Sequence, residues 1–240
     1  MQTTKQQLLT LLKRTGSITV EEAAGALAVA SMTARQHLVN LERDGLIQSE
    51  PVRRSNGRPH YLYTLTPKGE EMFPRRYDLL AQVILDEVGA LSPGDIASLT
   101  AEEKRSLLIR RTADRLAERY RFQVEGRSLP ERVAAVTDVL QLIGGFAEWL
   151  PLDSGYEIRD YNCVFARLIA APPDLSQTSE ADDTAAKEAS GCEWHVRLLT
   201  QLLQSPVQHE RAVDGRVECC RYLVGVEVLA GEPQGVLTNA

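Results

Sequence analysis

Three short amphipathic segments fill the first 45 residues, each closed by a helix-ending signal, and no other feature narrows the possible folds as sharply. "TTKQQLLTLLKRTG" sets Leu8, Leu9, Leu11 and Leu12 on one helical stripe and ends at Gly16, a C-cap by type and position. "ITVEEAAGALAVA" offers Thr19 as its N-cap, with Glu21 and Glu22 in the first turn, where the helix dipole favours acids. Ser31 reads as the cap of "MTARQHLVNLERDG", in which Leu38 and Leu41 face inward, hydrogen-bonding side chains crowd the first turns, and Gly45 stops the helix. A four-residue turn before such a third helix describes a helix-turn-helix.

Two apolar runs follow, "LIQSE" and "HYLYTL", joined by "PVRRSNGRP". Alternation on both sides of a Gly- and Pro-containing loop predicts a β-hairpin whose tip carries Arg53, Arg54 and Arg58. This is the pattern of a winged helix-turn-helix with a basic wing. Helical spacing resumes in "TPKGEEMFPRRYDLLAQVILDEVGAL", with a break at Pro74.

The net charge of −6 argues against a nucleic-acid partner until it is divided along the chain. Residues 1–90 carry 11 Lys and Arg against 10 Asp and Glu, which leaves 16 against 23 for the remainder; between 31 and 76 the balance is eight to five. A small basic unit joined to an acidic one suits double-stranded DNA at one end and a different task at the other. Arg35 and Gln36 are the candidates for base edges, guanine for the first and adenine for the second. Ser31, Thr33 and His37 complete the candidate surface of the third helix, with Thr33 and His37 suited to phosphates, and the three wing arginines suit backbone or minor groove.

The rest of the chain reads as α+β. "EEKRSLLIRRTADRLAERYRF" and "PERVAAVTDVLQLIGGF" are amphipathic helices, either packed on the core or forming the two-fold interface that a palindromic operator requires. "GYEIRDYNC" reads as a strand ending at Cys163, "VFARLIAA" as a short helix, and "PPDLSQTSEADDTAAKEASG" as a solvated loop. Cys192 heads a helix through "EWHVRLLTQLLQ", and "PVQHERAV", "DG" and "RVECCRYLVGVEVL" make an antiparallel hairpin. The expected class is mainly α with small β. The expected units are a DNA-binding winged helix-turn-helix at 1–90, a helical linker and dimerisation region at 91–150, a cysteine-containing α+β sensor domain at 151–230 and a flexible tail at 231–240.

No signal peptide opens the chain and no apolar run could span a membrane, so a cytoplasmic homodimer is expected. All four cysteines, Cys163, Cys192, Cys219 and Cys220, fall in the last third. In a reducing compartment that clustering favours metal or redox chemistry over structural disulfides, with buried small apolar residues as the plain alternative. Successive strand side chains point to opposite faces, so Cys219 and Cys220 cannot both serve one site. Cys220 travels with Tyr222 and Val224; Cys219 travels with Val217, Arg221 and Leu223.

At "SMTARQHLVNLERDGLI", "GRPHYLYTLTPKG" and "FPRRYDLLA" the chain resembles bacterial winged-helix regulators of the DeoR/ArsR-like group. Asn162-Cys163, Cys192-Glu193 and "DG" followed by "CRY" extend the resemblance to the repressors of iron–sulfur cluster biogenesis, the Suf operon repressors. The resemblance implies an iron–sulfur cluster, [4Fe–4S] in that group, held by Cys163, Cys192 and Cys220, with Cys219 a bystander. Cys192 and Cys220 have the family's separation, whereas Cys163 and Cys192 lie further apart than usual, which an insertion at 172–190 would explain. A cysteine that some relatives carry before the hairpin is replaced here by Ser205.

Three thiolates leave one corner of a four-iron cluster open. A two-residue turn at "DG" would pair Val213 with Arg216 and set His209 opposite Cys220; a three-residue turn would bring Glu210 there instead. The fourth ligand is therefore sought at His209, then Glu210, Glu193 or His195. A regulator of the same fold that senses zinc or thiol oxidation through these cysteines is the alternative, although no Cys-x-x-Cys spacing supports zinc. An enzyme is not expected: there is no Gly-rich phosphate loop, nucleophile elbow or paired-carboxylate motif.

Overall fold

The computed structural model describes residues 3–52, 60–164, 182–214 and 217–225. Two hydrophobic cores organise them. The first is built by α1 (Thr4–Thr15), β1 (Ser17–Ile18), α2 (Val20–Leu27), α3 (Ser31–Arg43), β2 (Ile47–Val52) and β3 (His60–Leu65). Gly16 (φ +76°) ends α1 by donating its amide to Leu12, and Thr19 caps α2 in a reciprocal capping box with Glu22. Leu8, Leu12, Ile18, Ala34, Leu38 and Ile47 are fully buried between the helices and the sheet.

The expected hairpin forms, with Ile47 opposite Leu65 and Val52 opposite His60. Its tip, with Arg53, Arg54 and Arg58, lies outside the described residues. β1 adds to the other side of β3; two residues leave no alternation to read in a sequence. Ser31 is not the cap of α3 but its first helical residue. Ala30 holds the N-cap position; it makes no side-chain bond, and its carbonyl accepts from the amides of Thr33 and Ala34.

The second core contains α5 (Tyr77–Gly89), α7 (Ala101–Tyr120), α8 (Leu129–Leu142), β4 (Ala147–Leu152), β5 (Gly155–Asp160), α9 (Asp182–Leu203), β6 (Val207–Asp214) and β7 (Val217–Val224). The single turns α4 (Pro67–Glu70) and α6 (Pro93–Ile96) lie on either side of α5. The sheet is antiparallel in the order β4-β5-β7-β6. Residues 147–152, to which the sequence reading assigns no element, form β4, an edge strand in which the missing amide of Pro151 is tolerated.

Three expectations need correction. Leu79, Leu80 and Val83 of α5 join the second core, and buried Glu87 accepts from Arg111 (2.8 Å) and Arg115 (2.7 Å) of α7, so the junction between the cores falls at 71–76 rather than at 90. The apolar sides of α7 and α8, including Ala113, Leu116, Val136 and Leu140, pack inside the chain and are not a linker. The polar stretch at 182–190, expected as loop, belongs to α9, because its Ala, Glu and Lys residues favour helix without needing apolar partners. The expected short helix "VFARLIAA" lies, beyond Val164, outside the described residues. Among the described residues no helix is long and apolar enough to cross a membrane.

Gly144 marks the closest approach between the junction and the second core. At φ +94°, a Cβ there would stand 2.7 Å from Arg75 Cα and overlap the Arg76 amide. Gly144→Ala should therefore lower stability by at least the ~1–3 kcal/mol of a non-glycine residue held at positive φ. Gly25, in an open position of α2, is the control: Gly25→Ala should be neutral or stabilise by up to ~1 kcal/mol, as read from urea midpoints.

Candidate functional site

The cysteine site begins with how α9 is docked. Trp194 is fully buried and donates its indole N–H to Thr112 (3.1 Å), and Arg197 forks onto Asp114 at 2.5 and 2.8 Å, with Gln201 joining the same carboxylate. These anchors on α7 fix the rotation of α9. Cys192, His195 and Leu199, spaced three and four apart, then share one stripe of the helix. His195 is buried with its ring 4.8 Å from Trp194 and 6.0 Å from Tyr222 of β7.

The hairpin brings the second half. Asp214 pairs with Val217, so Arg211 stands opposite Cys220 and His209 opposite Tyr222, two residues from the expected register. A slip of two preserves the face, whereas a slip of one would have reversed it. His209 is thus a diagonal neighbour of Cys220, its ring 5.1 Å from that of Tyr222. Glu210 takes the opposite face, where it pairs with Arg221 at 2.6 Å, and Glu193 is exposed. Neither joins the cysteines.

Cys163 arrives from the end of β5, which stops at Asp160, three residues earlier than expected. Asp160 pairs with Cys220 across the sheet, and its Oδ1 accepts from the amides of Phe146 and Asn162, both at 2.9 Å, which bends the chain beyond the strand. The Cys163 and Cys220 side chains are hydrogen-bonded to one another. The His209 ring is in turn hydrogen-bonded to Cys192 and Cys220. Segments 163, 220, 209 and 192 are thus linked pairwise, in that order.

The electrostatics follow from these contacts. The bond from Cys163, assisted by those of His209 and by the nearby charge of His195, holds the Cys220 thiol down at about 4 against the opposing effect of burial. Cys192 and then Cys220 hold the His209 imidazole up at about 9. His209 Nε2 is nonetheless buried without a hydrogen-bond partner. Three sulfurs, one of them a thiolate, together with an unclaimed buried nitrogen are the donor types an iron–sulfur cluster takes. The contacts run as a chain rather than a cage: among the described residues no three His, Cys, Asp or Glu side chains are set to hold a single metal ion.

Cys219 lies on the opposite face of β7, as alternation requires. It is buried there, on the side of the sheet that α1 touches.

On α3, Ala34, Leu38 and Leu41 face the core, while Ser31, Thr33, Arg35 and Gln36 are exposed and His37 is half-buried. Gln36 reaches Asn40 at 3.4 Å. Met32 and Val39 are also exposed, at 77% and 44%, on the outward side of the helix. Sequence reading passed over them, although the inward spacing of 34, 38 and 41 already turns them to solvent.

Residues 5–49 match the model of the DeoR-like helix-turn-helix domain. The chain therefore carries a helix-turn-helix domain of the DeoR-like type. The matched segment takes in all three helices and the start of β2; the cysteines lie outside it. No curated protein matches the chain. Among solved structures, Bacillus subtilis PadR in complex with operator DNA aligns at 15% identity over 83% of this chain and 97% of its own, with a TM-score of 0.26, a superposition too loose to carry details across.

The Cys220–His209 pair makes the metal-free regulator sensitive to pH. The folded thiol has released a proton that the unfolded thiol retains, so stability should rise with pH from about 4. Above 6.5 the opposite linkage of His209, whose folded value is the higher one, offsets further gain until about 9. Urea midpoints measured across this range should show the rise and plateau; in His209→Gln the rise should begin at a higher pH and continue above 6.5 without a plateau. A variant that keeps the wild-type onset and plateau would remove the pairing.

Proposed function

We propose that this regulator is a transcriptional repressor of iron–sulfur cluster biogenesis genes, binding a palindromic operator as a cytoplasmic homodimer with an affinity set by a cluster held on its cysteines. The observation that supports the reading is the chain of contacts from Cys163 to Cys220, His209 and Cys192, which links four segments remote in the sequence. Cys163, Cys192 and Cys220 would supply the thiolates and His209 Nε2 the remaining ligand. A bound cluster supplies a cross-link between those segments and a centre sensitive to oxidants and iron supply.

The chain's own part is to present α3. Arg35 and Gln36 would read base edges, and the exposed Met32 and Val39 offer apolar surface suited to thymine methyl groups. The uncapped first turn of α3, with Ser31 and Thr33, would take a phosphate, with His37 beside it. Arg53, Arg54 and Arg58 on the wing would add contacts that raise the salt dependence.

One observation favours a second reading, thiol sensing. A thiolate at Cys220 lies against the Cys163 thiol, which suits disulfide formation: a peroxide would oxidise Cys220 to a sulfenic acid with loss of water or alcohol, and attack by Cys163 would release water as the S–S bond forms.

Anaerobic reconstitution with iron and sulfide, followed by an absorption spectrum and an operator shift assay, separates these readings. Cys192→Ser should lose the charge-transfer bands and operator affinity together. Wild-type affinity in that cluster-free variant would remove cluster dependence. Arg35→Ala should weaken the preferred operator by ~1–3 kcal/mol and relax base preference at one position, whereas loss of a wing arginine should weaken all sequences alike.

A further inference from the structure

The "FPRRY" stretch at 73–77 has no assigned role, yet it is where the two cores meet. Two side-chain bonds join it to the segment that carries Cys163. Arg75 Nε donates to the Cys163 carbonyl at 3.1 Å, and Asn162, which is buried, donates through Nδ2 to the Phe73 carbonyl at 3.0 Å and to the Gly144 carbonyl at 2.8 Å. On the DNA-binding side, Phe73 packs against the first core, with Lys13 of α1 above its ring at 5.6 Å. On the sensor side, the Phe73 ring meets Phe146 edge-on at 5.3 Å, and Arg14 of α1 lies over Phe146 and pairs with Glu148 of β4 at 3.0 Å. A cavity of about 340 Å³ beside this joint, lined in part by Lys13, Arg75, Tyr161 and Val217, gives the segment room to shift.

We propose that residues 73–76 are a latch: through Arg75 and Asn162 they transmit the bonding state of Cys163 to the winged helix, and Arg75 is the positioning residue of that coupling. This rests on the reading that Cys163 changes its bonding when the regulator responds. A change at the Cys163 sulfur moves its own peptide. The Arg75 guanidinium and the Asn162 amide are tied to that peptide and its neighbour, and no flexible linker intervenes between them and Phe73. Two states of Cys163 thus become two orientations of the first core, and in a dimer two spacings of the α3 helices.

The test uses the full chain, as wild type, Arg75→Met and the more conservative Arg75→Lys. Operator DNA is first selected by the wild type from a random duplex pool. Its affinity is then measured for the anaerobically reconstituted, the reduced metal-free and the diamide-oxidised forms, with absorption spectra and hydrogen exchange over 73–80 recorded for each. In the wild type, affinity should change between forms by the ~5–150-fold typical of coupled sites. In Arg75→Met it should change less than about threefold, with spectrum and cluster content as in the wild type, and Arg75→Lys should fall between them. If Arg75→Met responds as fully as the wild type and exchange over 73–80 changes equally in both, the latch is overturned while cluster dependence stands. If wild-type affinity ignores the state of Cys163 in all forms, the functional reading fails and the latch with it.

Discussion

One buried carboxyl group holds the arrangement together. Asp160 is 1% exposed, and burial pushes its carboxyl up, with the charge of His195 acting in the opposite direction. Withdrawing such a group from water is unfavourable unless bonds replace those it loses. Oδ1 accepts from Phe146 and Asn162, which closes the chain just past β5. That bend brings Cys163 against Cys220 and turns Asn162 toward Phe73. The cysteine site and the joint between the cores therefore share one structural origin.

The sheet then acts as a partition. Its inner face carries Cys220, Tyr222 and His209 toward α9, and its outer face carries Cys219 and a charged patch. In that patch Arg221 and Arg159 bond to Glu157, which is 2% exposed, and hold its carboxyl down at about 2. Removing one partner of such a buried pair costs about 3–5 kcal/mol. The 73–76 segment, by contrast, is held to the end of β5 by single hydrogen bonds from Arg75 and Asn162.

How much of this was legible differs between the cores. The first was nearly complete in the sequence, because leucine spacing, Gly16 and Thr19 are local signals with local causes. Its one misreading, Ser31 as a cap, arose because a serine before an apolar pattern suits the cap and the first helical position alike. In the second core, the edge strand β4 was given no element and a polar composition hid the start of α9. Neither could be read without knowing which neighbours each segment has. His209 was placed on the correct face from an incorrect register, because strand faces repeat every two residues.

The sequence by itself determined the helix-turn-helix and the alternation that separates Cys219 from Cys220, since periodicity and residue type need no distant partner; the candidacy of Cys163, Cys192 and Cys220 as a set came from the family resemblance. Only the tertiary structure decided that Cys163 lies against Cys220 and His209 against Cys192 and Cys220, that α5 belongs with the second core rather than the first, and that Arg75 grips the Cys163 peptide. Those contacts span up to 88 residues of chain, and packing and buried hydrogen bonds, which leave no local pattern, set them.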